Sequence, residues 1–221
     1  PAVESGAWPS RTMLRSWETL AQRQDFDRAF AQAPAMPRRL HDGGLFYAGA
    51  LAANCDTESI RAMQPHVAVF VKSQAQKDLA RRVLDTVGLG NARVSMEEPA
   101  VEDWETGFIL DEEGIHLRAF DRQGIPDEEQ QLLLCCQSLL EQGQRQLIVP
   151  MHAPFTLEQL AGTHKARVKR VRASVDSWMN ALVEAGLLTQ LDTYFDGMAA
   201  MLSLVSLLAR RRTTLRGLIE Q

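Results

Sequence analysis

Two acidic side chains on a tight turn are the sequence's best candidates for metal chemistry. The stretch Asp111-Glu112-Glu113-Gly114 joins two apolar segments, and its glycine permits the bend. The carboxylates of Asp111 and Glu113 could both point at a divalent cation, which prefers oxygen ligands. A Mg²⁺ site should combine such carboxylates with a phosphate, whereas the next position here is the apolar Ile115. A solvent-exposed hairpin turn is therefore the favoured interpretation.

The histidines and cysteines are weaker candidates. His116 and His152 each lie beside a predicted strand, and neither has a partner at the spacing of a metal site. Cys135 and Cys136 are adjacent within an apolar run that has no basic neighbour to lower a thiol pKa. Together with Cys55 they are too few for a disulfide framework, so we interpret the adjacent pair as core thiols of a reducing compartment.

Basic residues form two groups in the second half of the chain. The first group lies on a predicted strand and consists of Lys165, Arg167, Lys169, Arg170 and Arg172. Alternation along a strand would expose half of this group on each face, where it could bind a phosphorylated ligand or a polyanion. A solvated edge strand is the favoured interpretation. The second group, residues 210–212, is three consecutive arginines near the end of a predicted helix, where cations offset the helix dipole without a ligand.

Length and composition limit the class of protein. The chain has 221 residues, of which 45% are hydrophobic and 24% charged, as in ordinary globular proteins. The net charge of −4 does not favour a nucleic-acid binder. No run of apolar residues is long enough to span a bilayer, and the first residues lack a signal-peptide pattern. We therefore expect a soluble, cytoplasmic protein without nucleic-acid or membrane partners.

Alternating helical and strand patterns predict an α/β fold. The predicted strands are short and mostly apolar, and they fall at 66–72, 92–96, 107–110, 115–120, 146–150 and 166–172. The predicted helices precede and separate them, at 12–33, 45–53, 128–140, 156–161, 178–185 and 198–210. Two more are a short helix that begins after Asp56 or Thr57 and a helix with Leu79, Val83 and Val87 in register that stops at Gly88 or Gly90. Asp127 is the candidate cap of the helix at 128–140. A turn is expected at 194–197. The first two strands and the helix between them predict a right-handed parallel crossover. Because the pattern restarts, two α/β units with a boundary near Gly143 are expected.

The order of these segments resembles the α-D-phosphohexomutase family, which contains phosphomannomutases and phosphoglucomutases. The first half of the resemblance is carried by SWETLAQRQDFDRAF, LFYAGALAANCDTESIR, HVAVFVKSQAQKDLARRVLDTVGL and GFILDEEGIHLRAFDRQGIPDEEQQLLL. The second half is carried by LIVPMHAPFTLEQLA, ARVKRVRASVDSWMNAL and FDGMAAMLSLVSLLARRRTTLRGL. The similarity is greatest to the mutase-like region of bacterial proteins in which such a module is fused to a sugar-phosphate nucleotidyltransferase.

The resemblance implies a domain organisation. Residues 1–64 would be a helical remnant of the first mutase domain. Residues 65–142 and 143–221 would be the second and third mutase-like domains, each an α/β domain with a mixed sheet flanked by helices. Two mixed four-stranded sheets are therefore expected.

Departures from the family pattern bear on activity. In the family's metal loop, D-x-D-G-D-R, Asp111 and Glu113 take the first two ligand positions, whereas Ile115 stands at the third and His116 replaces the arginine. The phosphoserine loop would precede this chain, the sugar-selecting loop is reduced to GLLTQLDTY, and the fourth, phosphate-binding domain is not represented. The resemblance thus implies weak metal positions, no catalytic or cofactor-binding residue, and no cofactor unless Mg²⁺ still binds.

Three functions remain open from the sequence. The first is a catalytically degenerate phosphohexomutase-like module with a structural, oligomerising or sugar-phosphate-sensing role in nucleotide-sugar metabolism, inactive as this chain alone. Its partners would be a sugar-phosphate ligand, a fused or associated nucleotidyltransferase, and a second copy of the chain, because the apolar helix at 198–209 needs covering. The second is part of an active mutase whose phosphoserine and phosphate-binding domains lie elsewhere. The third is an unrelated α/β binding protein.

Overall fold

A computed structural model describes residues 43–97 and 100–220. These residues belong to one compact unit, Asp42–Gln221. They form α-helices and two β-sheets, which confirms the α/β class and a mixed sheet flanked by helices. The helix expected at 12–33, and with it most of the expected first-domain remnant, lies outside the described residues.

The first part of the described chain forms a mixed four-stranded sheet. Its elements in chain order are α1 (Gly43–Ala53), α2 (Thr57–Met63), β1 (Ala68–Phe70), α3 (Gln74–Val87), β2 (Arg93–Ser95), a 3₁₀ turn (Val101–Asp103), β3 (Gly107–Leu110) and β4 (Leu117–Phe120). The strand order is β2-β1-β3-β4. Strand β1 is parallel to both β2 and β3, and β4 is antiparallel to β3. The parallel pair formed by the first two strands agrees with the expected crossover.

Local sequence signals explain where these elements begin and end. Ser73 caps α3 by accepting a hydrogen bond from the backbone N–H of Gln76, and α3 ends at Gly88, whose φ of 88° favours glycine. Asp127 begins the next helix with a capping box that includes Gln130. Strand β1 is buried along its whole length, which is typical of a strand covered on both faces.

The second part contains a two-stranded parallel sheet between helices. Its elements are α4 (Glu128–Glu141), β5 (Gln146–Pro150), α5 (Thr156–Thr163), β6 (Arg167–Val171), α6 (Val175–Glu184), α7 (Leu188–Phe195), α8 (Gly197–Arg211) and α9 (Leu215–Ile219). Strands β5 and β6 pair in parallel, and the described residues add no further strand to them, whereas the resemblance implied four. The turn expected at 194–197 is wrong in extent, because residues 188–195 are helical and Asp196 alone separates α7 from α8.

Side chains close the outer edge of β5 in place of a third strand. The Oε1 atom of Gln190 accepts a hydrogen bond from the backbone N–H of Ile148 at 3.0 Å, and its Nε2 atom donates to the carbonyl of Gln146. The indole N–H of Trp178 donates to the carbonyl of Ile148 at 2.8 Å. Strand β1 begins the first strand–helix–strand crossover, as β5 begins the second. The edge of β1 that corresponds to the outer edge of β5 is paired with β3. Helices α6 and α7 therefore supply, through Trp178 and Gln190, the hydrogen bonds that a strand supplies in the first sheet.

Helix α8 lies in the main core. Its residues are buried from Gly197 to Ala209, apart from the half-buried Ala199, and it packs against α2, α4, α7 and β4. The expectation that this helix leaves apolar surface uncovered is therefore wrong, since the chain's own elements surround it. Homo-oligomerisation and the domain boundaries near 64 and 142 stay predictions. Among the described helices, none alone is long and apolar enough to cross a membrane; only α7 and α8 taken together, bent by 104°, reach that length.

Candidate functional site

The candidate metal loop is the turn that joins β3 to β4. The backbone N–H of Asp111 donates to the carbonyl of His116 at 3.2 Å, and the N–H of Gly114 donates to the carbonyl of Asp111 at 3.2 Å. The Oδ1 atom of Asp111 accepts a hydrogen bond from the backbone N–H of Ile115 at 2.8 Å. The first carboxylate of the loop thus stabilises the backbone of its own turn.

Helix α3 fixes the same turn from one side. The Nε2 atom of Gln76 donates to the carbonyl oxygens of Asp111 at 2.8 Å and Glu112 at 2.9 Å. The Oε1 atom of Gln76 accepts a hydrogen bond from the backbone N–H of Lys72 at 2.8 Å. One glutamine side chain therefore ties the end of the loop after β1 to the β3–β4 turn. The sequence analysis did not single out Gln76, because its role depends on contacts between segments that are distant in the chain.

The beginning of α8 holds the turn from the other side. The backbone N–H of Gly197 donates to the carbonyl of Gly114 at 2.8 Å. A Cβ atom on Gly197 would overlap a methyl group of Leu110 and lie 3.0 Å from the carbonyl oxygen of Gly114. Only glycine allows this close approach of the helix to the turn. The turn is thus a packed junction between the first sheet and α8.

Asp196 is a half-buried residue next to this junction that the sequence analysis missed. Its Oδ1 atom caps α8 by accepting hydrogen bonds from the N–H groups of Met198 at 2.9 Å and Ala199 at 3.1 Å. The hydroxyl of Tyr47 donates to the same carboxylate at 2.7 and 2.8 Å. Burial is the main cause that raises the pKa of Tyr47, and the charge of Asp196 is the second. The same two causes, in the same order, raise the pKa of Asp192. An aspartate directly before a long apolar run was the available signal for this cap.

The loop does not fit the Mg²⁺ site of the family pattern. The carboxylate of Asp111 is engaged with the loop backbone, Glu113 is exposed, and the third position carries the alkyl side chain of Ile115, which is 39% exposed. Mg²⁺ requires closely placed oxygen ligands in near-octahedral geometry. Across residues 43–97 and 100–220, no group of three or more His, Cys, Asp or Glu side chains could hold a metal. The weak metal assignment of Asp111 and Glu113 stays a prediction.

A cleft of about 140 Å³ lies beside the loop, between the β4 side of the first sheet and the helices of the second part. Apolar side chains form most of its walls, including Leu117, Trp178 and Leu204. Two of its polar wall groups already have partners: Gln131 accepts a hydrogen bond from a β4 N–H at 2.9 Å, and the Tyr194 hydroxyl lies 3.3 Å from a cysteine sulfur. No lysine or arginine of the described chain lines this cleft, so its chemistry does not suit a phosphate group.

The three cysteines and the two candidate histidines lie in different surroundings. All three cysteines are free thiols, and burial raises the pKa of Cys135 and Cys136 to about 12 and that of Cys55 to about 11. A thiol with such a pKa is almost entirely protonated near neutral pH and is a poor nucleophile. The side chains of His116 and His152 are exposed. The interpretation of these residues as structural stays a prediction.

The two basic groups have different surroundings. The guanidinium of Arg170 binds the carboxylate of Glu158 at 2.9 and 3.0 Å and three backbone carbonyls of residues 151–154. Arg210 and Arg211 donate to the backbone and side chain of Glu141. Arg170, Arg210 and Arg211 therefore form contacts between segments of the folded chain. The remaining members of the first group are exposed on or beside β6, at Lys165, Arg167, Lys169 and Arg172.

Comparison with known proteins shows which solved structures share this fold. No protein-family model matches the chain, and no curated protein matches it either. A candidate phosphomannomutase from Thermus thermophilus matches 80% of this chain with a TM-score of 0.66 and 14% identity. A phosphoglucomutase/phosphomannomutase family protein from Burkholderia thailandensis matches 76% of it with a TM-score of 0.57 and 14% identity. The chain spans 49% and 44% of the lengths of these two structures. The described chain therefore has the fold of part of a phosphohexomutase.

Proposed function

We propose that this chain is a catalytically degenerate phosphohexomutase-like module with a structural role in a protein of nucleotide-sugar metabolism. The observation that carries the proposal is the geometry of the β3–β4 turn. The Asp111 carboxylate accepts a hydrogen bond from the N–H of Ile115, and Ile115 stands where the family pattern has its third carboxylate. Phosphoryl transfer depends on a bound cation and on clamps for the phosphate, and an apolar third position removes a ligand for that cation.

The surroundings of the turn support a structural role. Gln76 and Gly197 bind the turn from two sides, and the neighbouring cleft has mainly apolar walls. The proposal extends to the partners and location expected from the sequence: a fused or associated sugar-phosphate nucleotidyltransferase in the cytoplasm, a second copy of the chain, and a sugar phosphate that is sensed rather than converted. No cofactor is needed for this role.

A second candidate function is favoured by the length comparison. Because the chain spans 49% and 44% of the two mutase-fold structures, the catalytic groups of an active mutase could lie in another part of a longer polypeptide. An active mutase should still bind Mg²⁺ at its metal loop. Metal affinity at Asp111 therefore separates the two candidate functions.

Wild-type protein should bind Mg²⁺ no more tightly than millimolar in a calorimetric titration, because one alkyl side chain and one engaged carboxylate leave few oxygen ligands. The substitution Ile115→Asp should tighten binding at least tenfold if the turn keeps its shape. Ile125→Asp is the matched control, since Ile125 is similarly exposed, at 43%, but lies outside the turn. A dissociation constant of the wild-type protein for Mg²⁺ well below millimolar would contradict the proposal.

Purified protein should not interconvert the 1- and 6-phosphates of mannose or glucose, even with the corresponding bisphosphate as activator. A coupled assay with Mg²⁺ present measures this. Product formation above the no-enzyme blank that disappears in Asp111→Asn would instead establish the second candidate function. Activity that survives Asp111→Asn would point to a contaminating mutase, which repeated purification removes.

A further inference from the structure

In the part of the chain that the structure describes, no strand pairs with the outer edge of β6, so this edge of the second sheet is open. The N–H of Arg167 donates to the carbonyl of Arg145 at 2.9 Å, so the peptide groups of Arg167 face β5. Along a strand, the peptide groups of successive residues point alternately to its two sides. The N–H and C=O groups of Val168 and Arg170 therefore point away from β5. Within residues 43–97 and 100–220, no backbone or side-chain group forms a hydrogen bond with these outward-facing peptide groups. Because Gln190 and Trp178 close the opposite edge at β5, the sheet can accept a further strand only beside β6.

The open edge carries uncompensated positive charge. Arg167 and Lys169 alternate along β6, so they lie on one face, and both are exposed; Lys165 is exposed in the turn just before the strand. Lys169 is paired in register with Ile148, which α6 and α7 cover, yet Lys169 itself is exposed; on the same face only Val171, at the end of β6, packs against these helices. None of these three cations forms an ion pair with a residue in the described part of the chain. The face next to the open edge is therefore a row of unpaired cations.

We propose that the open edge of β6 binds an extended acidic segment of a partner protein, which adds to the sheet as a third strand. The outward peptide groups of Val168 and Arg170 supply main-chain hydrogen bonds, as in other cases of strand addition. Carboxylates at alternate positions of the added strand lie beside Arg167 and Lys169, where opposite charges on neighbouring strands stabilise the pairing. The main-chain hydrogen bonds provide affinity, and the exposed basic side chains select an acidic partner.

The charge row also excludes other occupants of the edge. Pairing β6 of one copy with β6 of another would place two basic rows against each other, which is destabilising. Basic side chains on an edge strand normally discourage strand addition. Here they repel basic segments and offer no opposite charge to neutral ones, whereas an acidic segment pairs with them. The phosphate backbone of a nucleic acid would satisfy the charges but not the outward-facing carbonyls, because phosphate oxygens cannot donate hydrogen bonds.

The test uses a short peptide of alternating glutamate and valine with blocked ends, labelled for fluorescence anisotropy. We expect saturable binding that weakens as salt is added, and no binding of the same peptide with lysine in place of glutamate. The double substitution Arg167→Glu and Lys169→Glu should lower the affinity for the acidic peptide at least tenfold. The matched control is Lys72→Glu with Arg81→Glu, which makes the same change of charge at exposed positions away from β6.

A second arm tests the main-chain pairing without altering the protein. N-methylation of the acidic peptide at one set of alternate residues should abolish binding, whereas methylation at the other set should preserve it, because only one edge of the added strand faces β6. On binding, amide exchange at Val168 and Arg170 should slow. The proposal is overturned if the acidic peptide does not bind at millimolar concentration, or if both methylated peptides bind as well as the parent. It is also overturned if a single-stranded oligonucleotide of equal charge binds more tightly than the peptide.

Discussion

Replacement of Gln190 by leucine is expected to lower the free energy of unfolding by about 3 kcal/mol. The Gln190 side chain is fully buried, accepts a hydrogen bond from the N–H of Ile148, and donates one to the carbonyl of Gln146. Leucine fits a buried position but leaves both backbone groups unsatisfied, and each unsatisfied buried group costs about 1–3 kcal/mol. Equilibrium unfolding in urea, compared between variant and wild type, measures the loss.

Gln144→Leu is the control for this prediction. Gln144 precedes the same strand, and its side chain has no hydrogen-bond partner within the described ranges, so a change of about 0.5 kcal/mol or less is expected. Amide exchange at Ile148 should also speed up in Gln190→Leu and not in Gln144→Leu. Equal stabilities for the two variants would show that water or another group replaces the Gln190 side chain at the edge of β5.

A comparable loss, about 3 kcal/mol, is expected for Gly107→Ala. Gly107 pairs in register with Phe120 across the β3–β4 ladder, and a Cβ atom at Gly107 would overlap the Phe120 ring. The ring is fully buried between β1, β3 and the 3₁₀ turn, so it cannot move aside without displacing the side chains around it. Thermal unfolding followed by circular dichroism, with urea unfolding for the free energy, measures the effect.

Two further variants make this prediction specific. Gly49→Ala is the control, because Gly49 lies within α1 and an added Cβ would meet nothing within 4 Å; alanine there should stabilise the helix by about 0.5–1 kcal/mol. Combining Gly107→Ala with Phe120→Leu should cost less than the sum of the single changes, since leucine removes the overlapping ring atoms. Strict additivity would mean that the overlap with Phe120 is not the cause of the loss.

The agreement between sequence and structure is greatest where local signals act. The valine-rich segment forms β1, Gly88 ends α3, and Asp127 begins α4, as expected. Each of these features depends on residues a few positions apart: a run of β-branched side chains, a residue that tolerates positive φ, or a side chain that caps the adjacent turn. The order of these elements was also sufficient to suggest the phosphohexomutase fold that the solved structures share.

Helix α7 shows why a local pattern can mislead. No helix was predicted between residues 185 and 198, and a turn was expected at 194–197. Leu188, Leu191 and Phe195 nevertheless recur at helical spacing, and this signal was available in the sequence. The buried glutamine in this helix is polar because it faces the backbone of β5 instead of solvent.

The sequence by itself determined the α/β class, most element boundaries, the parallel pairing of the first two strands, and the presence of Ile115 at a position where the family pattern has a carboxylate. Only the tertiary structure decided that the Asp111 carboxylate serves its own turn, that α8 is surrounded by its own chain, and that one edge of the second sheet is closed while the β6 edge stays open. The physical reason is the distance along the chain over which each interaction acts. Caps, turns and periodicity join residues within a few positions, whereas Gln190 and Ile148 are 42 residues apart and meet only after the chain has folded.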